Sequence, residues 1–182
     1  MLINPLVAVD ANVLMDLGER VETVIDALTT LRQRFRHPRL VIPPTAQQEL
    51  VHIARHGDAK KERLRASGGI EAARRWLIVP VNLMPVGHGI VERVAEKLRG
   101  PDLLPSEEVN DSLLLAEAAL VEARLLLTSD EHLRGRLYPA QSRVAQLRPD
   151  GPRHCHTRGS CAEVLLSLTA PFRGTLSRIF VK

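Results

Sequence analysis

Four acidic residues stand out by where they fall in the chain. Asp10 ends the apolar run Leu6-Val7-Ala8-Val9, and Asp130 ends a second run, Leu125-Leu126-Leu127, through Thr128 and Ser129. A short apolar run that stops on an acid is the pattern of a buried parallel strand delivering its carboxyl end to a crevice. Glu49 follows a third run, Leu40-Val41-Ile42, closed by Pro43-Pro44, and Asp111 lies early in a helical segment after Pro105. If these strands share one sheet, the acids meet at its carboxyl edge. Two carboxylates about 4 Å apart, at an effective dielectric of about 20, repel by about 4 kcal/mol, so such a set either takes up protons or holds a cation. Oxygen donors with open water positions suit Mg²⁺ or Mn²⁺, as one ion or two. Such a site activates water and, with two ions, clamps the attacking and leaving oxygens of a phosphodiester. The chemistry within reach is hydrolysis of a nucleic-acid backbone, with Asp10, Asp111 and Asp130 as direct ligands and Glu49 acting through water or on a second ion.

The elements that must position these acids can be read from hydrophobic spacing. After Asp10 a short helical pattern runs to Gly18, and Val21, Val24, Ile25, Leu28 and Leu31 form the stripe of a second helix. The basic stretch Arg32 to Arg39 reads as a helix end favoured by cations at the negative pole of the dipole. Thr45 with Gln48 has the form of a capping box, which places Glu49 just inside a first turn. Residues 52–75 are strongly charged and, with breaks at Gly57 and Gly68-Gly69, read as two amphipathic helices. Trp76 to Val81 predicts a strand, and Ile90, Val91, Val94 and Leu98 a helix stopped by Gly100-Pro101. Ser106 is the expected N-cap of the next helix, with Glu107 and Glu108 in its first turn and Val109, Leu113, Ala116, Leu120 and Ala123 facing the core. Asp111 is about 160° from Leu113 at about 100° per residue, so it faces solvent or a site.

Composition bounds the rest. With 182 residues, 45% of them hydrophobic, the chain can bury one good core. Cys155 and Cys161 are too few for a disulfide framework and suit a reducing cytoplasm. The first ten residues lack a basic leader and a small-residue cleavage site, and no apolar run approaches the roughly 20 residues of a membrane helix. A soluble cytoplasmic protein is expected. Net charge is +4 and aromatics are 3%, so a nucleic acid would be held mainly by its phosphates rather than on a stacking platform. Lys60, Lys61, Arg63, Arg65, Arg74 and Arg75 could meet those phosphates; interlaced with Asp58, Glu62 and Glu71, they equally make an ordinary solvated face. His154, Cys155, His156 and Cys161 supply zinc-type donors, but neighbours one position apart rarely share a tetrahedral site and a second ligand pair is missing.

VAVDANVL, PTAQQEL, EVNDSLLLAEA and LLTSDEHL resemble, in order and spacing, the four acidic motifs of PIN-domain ribonucleases, over roughly Val7 to Leu137. The resemblance implies an α/β fold: a Rossmann-like three-layer α/β/α arrangement with a central, mainly parallel sheet. It also implies that Asp10, Glu49, Asp111 and Asp130 bind one or two Mg²⁺ or Mn²⁺ ions, with Asn12 and Ser129 orienting acids or holding phosphate. The implied activity is metal-dependent endonuclease cleavage of single-stranded RNA. Many bacterial members are toxins of toxin–antitoxin pairs, usually dimeric and silenced by an antitoxin. Residues 1–148 would form the PIN-like nuclease domain and 149–182 a C-terminal extension, with a strand near Ser142 to Leu147 and further elements at Glu163 to Thr169 and Thr175 to Val181. The alternatives are a non-catalytic PIN-like domain that binds RNA or protein, and a structure-specific DNA nuclease. A degenerate binding module would be expected to have lost an acid, whereas this chain has all four.

Overall fold

The computed structural model describes residues 4–99, 104–130 and 133, together with the strand 164–167. Three of the apolar runs become strands where the pattern places them: β1 (Leu6–Val9), β2 (Arg39–Ile42) and, later, β4 (Leu125–Thr128). Between them come α1 (Ala11–Gly18), α2 (Glu22–Arg34), α3 (Pro44–His56), α4 (Lys60–Arg75), β3 (Val79–Pro80), α5 (Pro85–Leu98) and α6 (Val109–Leu120). The sheet order is β3-β2-β1-β4-β5, with β1 to β4 all parallel and β5 (Val164–Ser167) antiparallel to β4. This is a three-layer α/β fold. Val164–Ser167, in the stretch that the sequence sets apart as an extension, is thus hydrogen-bonded to the common sheet. The expected strand at Ser142 to Leu147, the element at Thr175 to Val181 and the His/Cys group at 154–161 lie outside the described residues.

Because β1 lies between β2 and β4, the chain leaves it in one direction towards β2 and β3 and returns on its other side as β4. That reversal is the topological switch point, where a parallel sheet opens a crevice beyond its carboxyl ends. The central strands are buried on both faces: Val7, Ala8 and Val9 are fully covered, as are Leu125 and Leu126. Leu14 of α1 and Leu28 and Leu31 of α2 pack into the same core, while Val91, Ala95 and Ala116 make a second, smaller cluster between α5 and α6. Among the described residues no helix is long and apolar enough to cross a membrane.

Several local expectations are corrected. Thr45 is not the cap of α3: the helix starts at Pro44, whose fixed φ suits a first position, and the N-cap is Pro43. Glu49 therefore stands in the second turn. Ser106 is likewise outside α6, whose N-cap is Glu108, and its hydroxyl hydrogen-bonds Glu107 instead. The face of α6 is broader than one stripe: Leu114, Leu115 and Ala118 join the main core, Leu113, Ala116 and Leu120 meet α5, and Val109 is exposed. Trp76 and Leu77 precede β3, which is only two residues long.

Gly68-Gly69 does not break a helix. It lies in the middle of α4 and lets that helix meet α1 backbone to backbone. A Cβ on Gly18 would lie 2.5 Å from Gly68 C and Gly69 N, and one on Gly69 would lie 2.9 Å from Leu14 O. A Cβ on Gly68 would sit at an ordinary 3.7 Å from Gly18. Gly18→Ala and Gly69→Ala are therefore expected to destabilise the protein by about 1–3 kcal/mol through overpacking. Gly68→Ala should be neutral or stabilising by up to about 1 kcal/mol through helix propensity. Urea unfolding of the three variants checks this, and equal losses in all three would show that α1 and α4 do not cross so closely.

Candidate metal-binding active site

At the carboxyl end of β1 the backbone of Asp10 is extended (φ −74°, ψ 157°) and the residue caps α1. Its amide donates to Leu127 O at 3.0 Å, prolonging the β1–β4 pairing by one residue. The carboxylate is held at both oxygens. Oδ1 accepts the Ala11 amide at 2.6 Å, and Oδ2 accepts the Thr128 hydroxyl at 2.8 Å. Thr128 Oγ1 in turn accepts the Asp130 amide at 3.0 Å. A chain of hydrogen bonds thus ties the ends of β1 and β4 together across the switch point.

The other acids arrive on helices. Glu49 projects from the second turn of α3 and Asp111 from the first turn of α6. Their proximity is registered by charge: Glu49 and Asp130 both push up the pKa of Asp10, and Asp111 and Asp130 push up that of Glu49. All four acids therefore belong to one electrostatic neighbourhood. For both titrating groups burial is the largest cause. Asp10, 5% exposed, is raised from 3.8 to about 6, and the Thr128 and Ala11 hydrogen bonds only partly oppose this. Glu49, half-buried, is raised in the same direction.

Among the described residues no three His, Cys, Asp or Glu side chains are disposed to hold one ion together. The expected set of three direct ligands, Asp10, Asp111 and Asp130, is thus not drawn to a single point. At about 4 Å and an effective dielectric of about 20 each pair would repel by about 4 kcal/mol, which favours a wider spacing. The donor set still fits a hard ion. Mg²⁺ keeps several waters and needs only one or two carboxylates directly. Asp10, held by two neutral donors and faced by like charges, is the kind of buried acid that a cation would relieve.

Asn12 lies in the first turn of α1 and Ser129 between Thr128 and Asp130, both partly buried beside the acids. The hydroxyl that orients Asp10 belongs to Thr128, one position before the serine that the motif points to. Two more residues were missed by sequence reasoning. Glu117 of α6, 3% exposed, takes the Thr45 amide on both oxygens, at 2.9 and 3.2 Å, and the Thr45 hydroxyl on Oε1 at 2.9 Å. It supplies the cap that Thr45 was expected to provide. Ser112, fully buried, accepts from Arg99 at 2.9 Å and donates to Val109 O at 2.7 Å. The signal for Glu117 was present: one acid inside the otherwise apolar LLLAEAAL.

The basic residues divide. Arg65 forms ion pairs with Asp16 and with Glu19, the latter at 3.0 Å, and so joins α4 to α1. Arg63 donates to Gly57 O and Asp58 O and fastens the α3–α4 turn. Lys60 and Lys61 are exposed at the start of α4.

The family model of the PIN domain matches residues 7–135, a span that holds all four acids. The chain belongs to the PIN domain family. PIN domains are generally nucleases that depend on divalent metal. Among solved structures, this PIN domain is similar to a chain of VapBC2 from Rickettsia felis, solved bound to a DNA fragment from their promoter. The TM-score is 0.54 and the identity 14%, covering 72% of this chain and 92% of that one. At that identity the likeness speaks for the fold. A comparison with curated proteins gives no match.

Because folding raises the Asp10 pKa, the folded state binds that proton more tightly than the unfolded chain does. Ionised Asp10 therefore destabilises the metal-free fold above about pH 6, and the penalty fades as pH falls towards 3.8. At 1.36 kcal/mol per pH unit it amounts to about 3 kcal/mol. In EDTA, Asp10→Asn should melt higher than wild type at pH 8, with the gap closing by pH 4. A variant that melts lower at pH 8 would mean that the carboxylate's hydrogen bonds outweigh its burial.

Proposed function

We propose that this PIN domain is a metal-dependent endoribonuclease that hydrolyses phosphodiester bonds of single-stranded RNA. The observation that carries this reading is the mutual charge repulsion of Asp10, Glu49, Asp111 and Asp130 at the carboxyl end of the sheet. Asp10, Asp111 and Asp130 would hold Mg²⁺ or Mn²⁺, one or two of them directly and the rest through the ion's waters, with Glu49 supporting a second ion or a coordinated water. The ion, when bound, supplies charge neutralisation at the phosphate and activation of the attacking water.

The chain's own residues do the rest. Thr128 and the Ala11 amide fix the Asp10 carboxylate, so that it does not reorganise during the reaction. The N-terminus of α1 adds a favourable dipole for an anion beside Asp10. Glu49, whose ionisation is opposed by burial and by Asp111 and Asp130, is a second carboxylate that a nearby cation would relieve. Asn12 and Ser129 stand where they can orient the acids or hydrogen-bond a phosphate oxygen.

A narrower reading makes the protein a cytoplasmic toxin of a toxin–antitoxin pair, acting as a homodimer and silenced by an antitoxin protein. Its support is membership of the PIN family and the fold shared with a chain of VapBC2. The alternatives are a non-catalytic domain that binds RNA or protein and a structure-specific DNA nuclease.

One assay separates these readings. Labelled single-stranded RNA should be cut with Mn²⁺ or Mg²⁺ and left intact with EDTA. Asp10→Asn and Asp130→Asn should each lower kcat/KM by about 100-fold or more, a loss of about 3 kcal/mol of transition-state stabilisation. Mn²⁺ should raise the melting temperature of wild type but not of Asp10→Asn. Binding of RNA that is equal with and without EDTA, with no cleavage under any metal condition, supports the binding domain; preferential cutting of flap DNA redirects the substrate.

A further inference from the structure

Beside the acid cluster, and not part of it, α3 forms one wall of an open groove of about 610 Å³. Gln48, His52, Arg55 and His56 line it from α3, with Asn82 and His88 across from them. Among the described residues no carboxylate lines the groove, and the one fixed charge is Arg55. Three of the four histidines among the described residues are gathered here. The His52 and His56 rings, both exposed, stand with centroids 5.3 Å apart and planes tilted by 44°. Both rings stand on α3, the helix that carries Glu49. The Trp76 ring carries Arg32 at 4.8 Å from its centroid, and Phe35 is buried.

The groove and the acid site share one helix, α3. At about 100° and 1.5 Å per residue, His52 and His56 lie about 60° and 20° around the axis from Glu49 and about 4.5 and 10.5 Å further along it. A strand whose phosphate sits among the acids would therefore meet these imidazoles next. Single-stranded RNA is recognised by stacking unpaired bases on rings, histidine included, and by cations on its phosphates.

We propose that the α3 groove is a nucleotide track for single-stranded RNA leading away from the acid cluster, with His52 and His56 taking base faces and Arg55 a phosphate. The proposal rests on the ribonuclease reading, and the test keeps the two apart. Anisotropy of a labelled mixed-sequence oligoribonucleotide is measured with the full chain in EDTA, so that binding is read without cleavage. His52→Ala/His56→Ala should weaken binding about tenfold while leaving its salt dependence unchanged. Arg55→Ala should weaken binding and flatten the slope of log K against log salt by about 0.7, the loss of one phosphate contact on a single strand. Lys60→Ala/Lys61→Ala, at the start of α4 and not in the groove lining, should change affinity less than twofold.

His52, Arg55 and His56 are exposed, so their variants should keep the wild-type melting temperature. With metal present, the histidine pair should raise KM and spare kcat. Wild-type affinity in both groove variants overturns the track even if the protein cuts RNA. Loss of affinity in both upholds it even if no metal-dependent cleavage is found. A change in oligomeric state on light scattering, with RNA affinity unaltered, would assign the groove to a second copy of the chain and overturn the proposal.

Discussion

A carboxylate with only 5% exposure, at the seam between the two central strands, is the constraint on which the rest of the structure depends. Burying an ionised acid is unfavourable unless it is hydrogen-bonded or paired. Here the acid is supported from both sides of the seam: α1 begins immediately after Asp10 and offers an amide, while β4 offers the Thr128 hydroxyl. The second donor is within reach only because β1 and β4 are parallel neighbours in a register that pairs Val9 with Leu127. A slip of one residue would turn every side chain of the strand to the opposite face and break that support.

The helices carrying the other acids are fixed by contacts that do not touch the site. At the start of α3, Pro43 and Pro44 set the backbone, and Glu117 reaches from α6 to satisfy the Thr45 amide. This one interaction couples the helix of Glu49 to the helix of Asp111, so the two acids are positioned by a shared clamp. On the opposite flank, α1 is seated by the glycine contact with α4 and by Arg65 reaching Asp16 and Glu19. Arg65, which the sequence offers to phosphates, is thereby spent on positioning α1.

How much of this was legible follows from range along the chain. β1, β2, β4 and the four acids were readable because a buried parallel strand announces itself by a local apolar run, and the acid that ends it is adjacent. The caps were misread because their partners are distant: Thr45 meets Glu117 across 72 residues, and Thr128 meets Asp10 across 118. Local pattern gave Thr45 a capping role, which a tertiary contact gives to Glu117; the hydroxyl on Asp10 is that of Thr128. Gly68-Gly69 was read as a break because glycine weakens a helix in isolation. Its packing against Gly18, some 50 positions earlier, cannot be seen in any short window.

The two buried acids among the described residues show why only one of them is a natural ion ligand. Burial raises the pKa of both Asp10 and Glu117. Glu117 answers with three hydrogen bonds from a single residue and a nearby imidazole, His88, all of which lower it. Its charge is matched inside the protein, so it serves as a fastener. Asp10 has two neutral hydrogen bonds and two carboxylates, Glu49 and Asp130, that oppose its ionisation. Its charge is left for something outside the chain to match. A fold can retain such an imbalance only where the surrounding ladder and core hold the strand ends regardless, which is the situation at the switch point between β1 and β4.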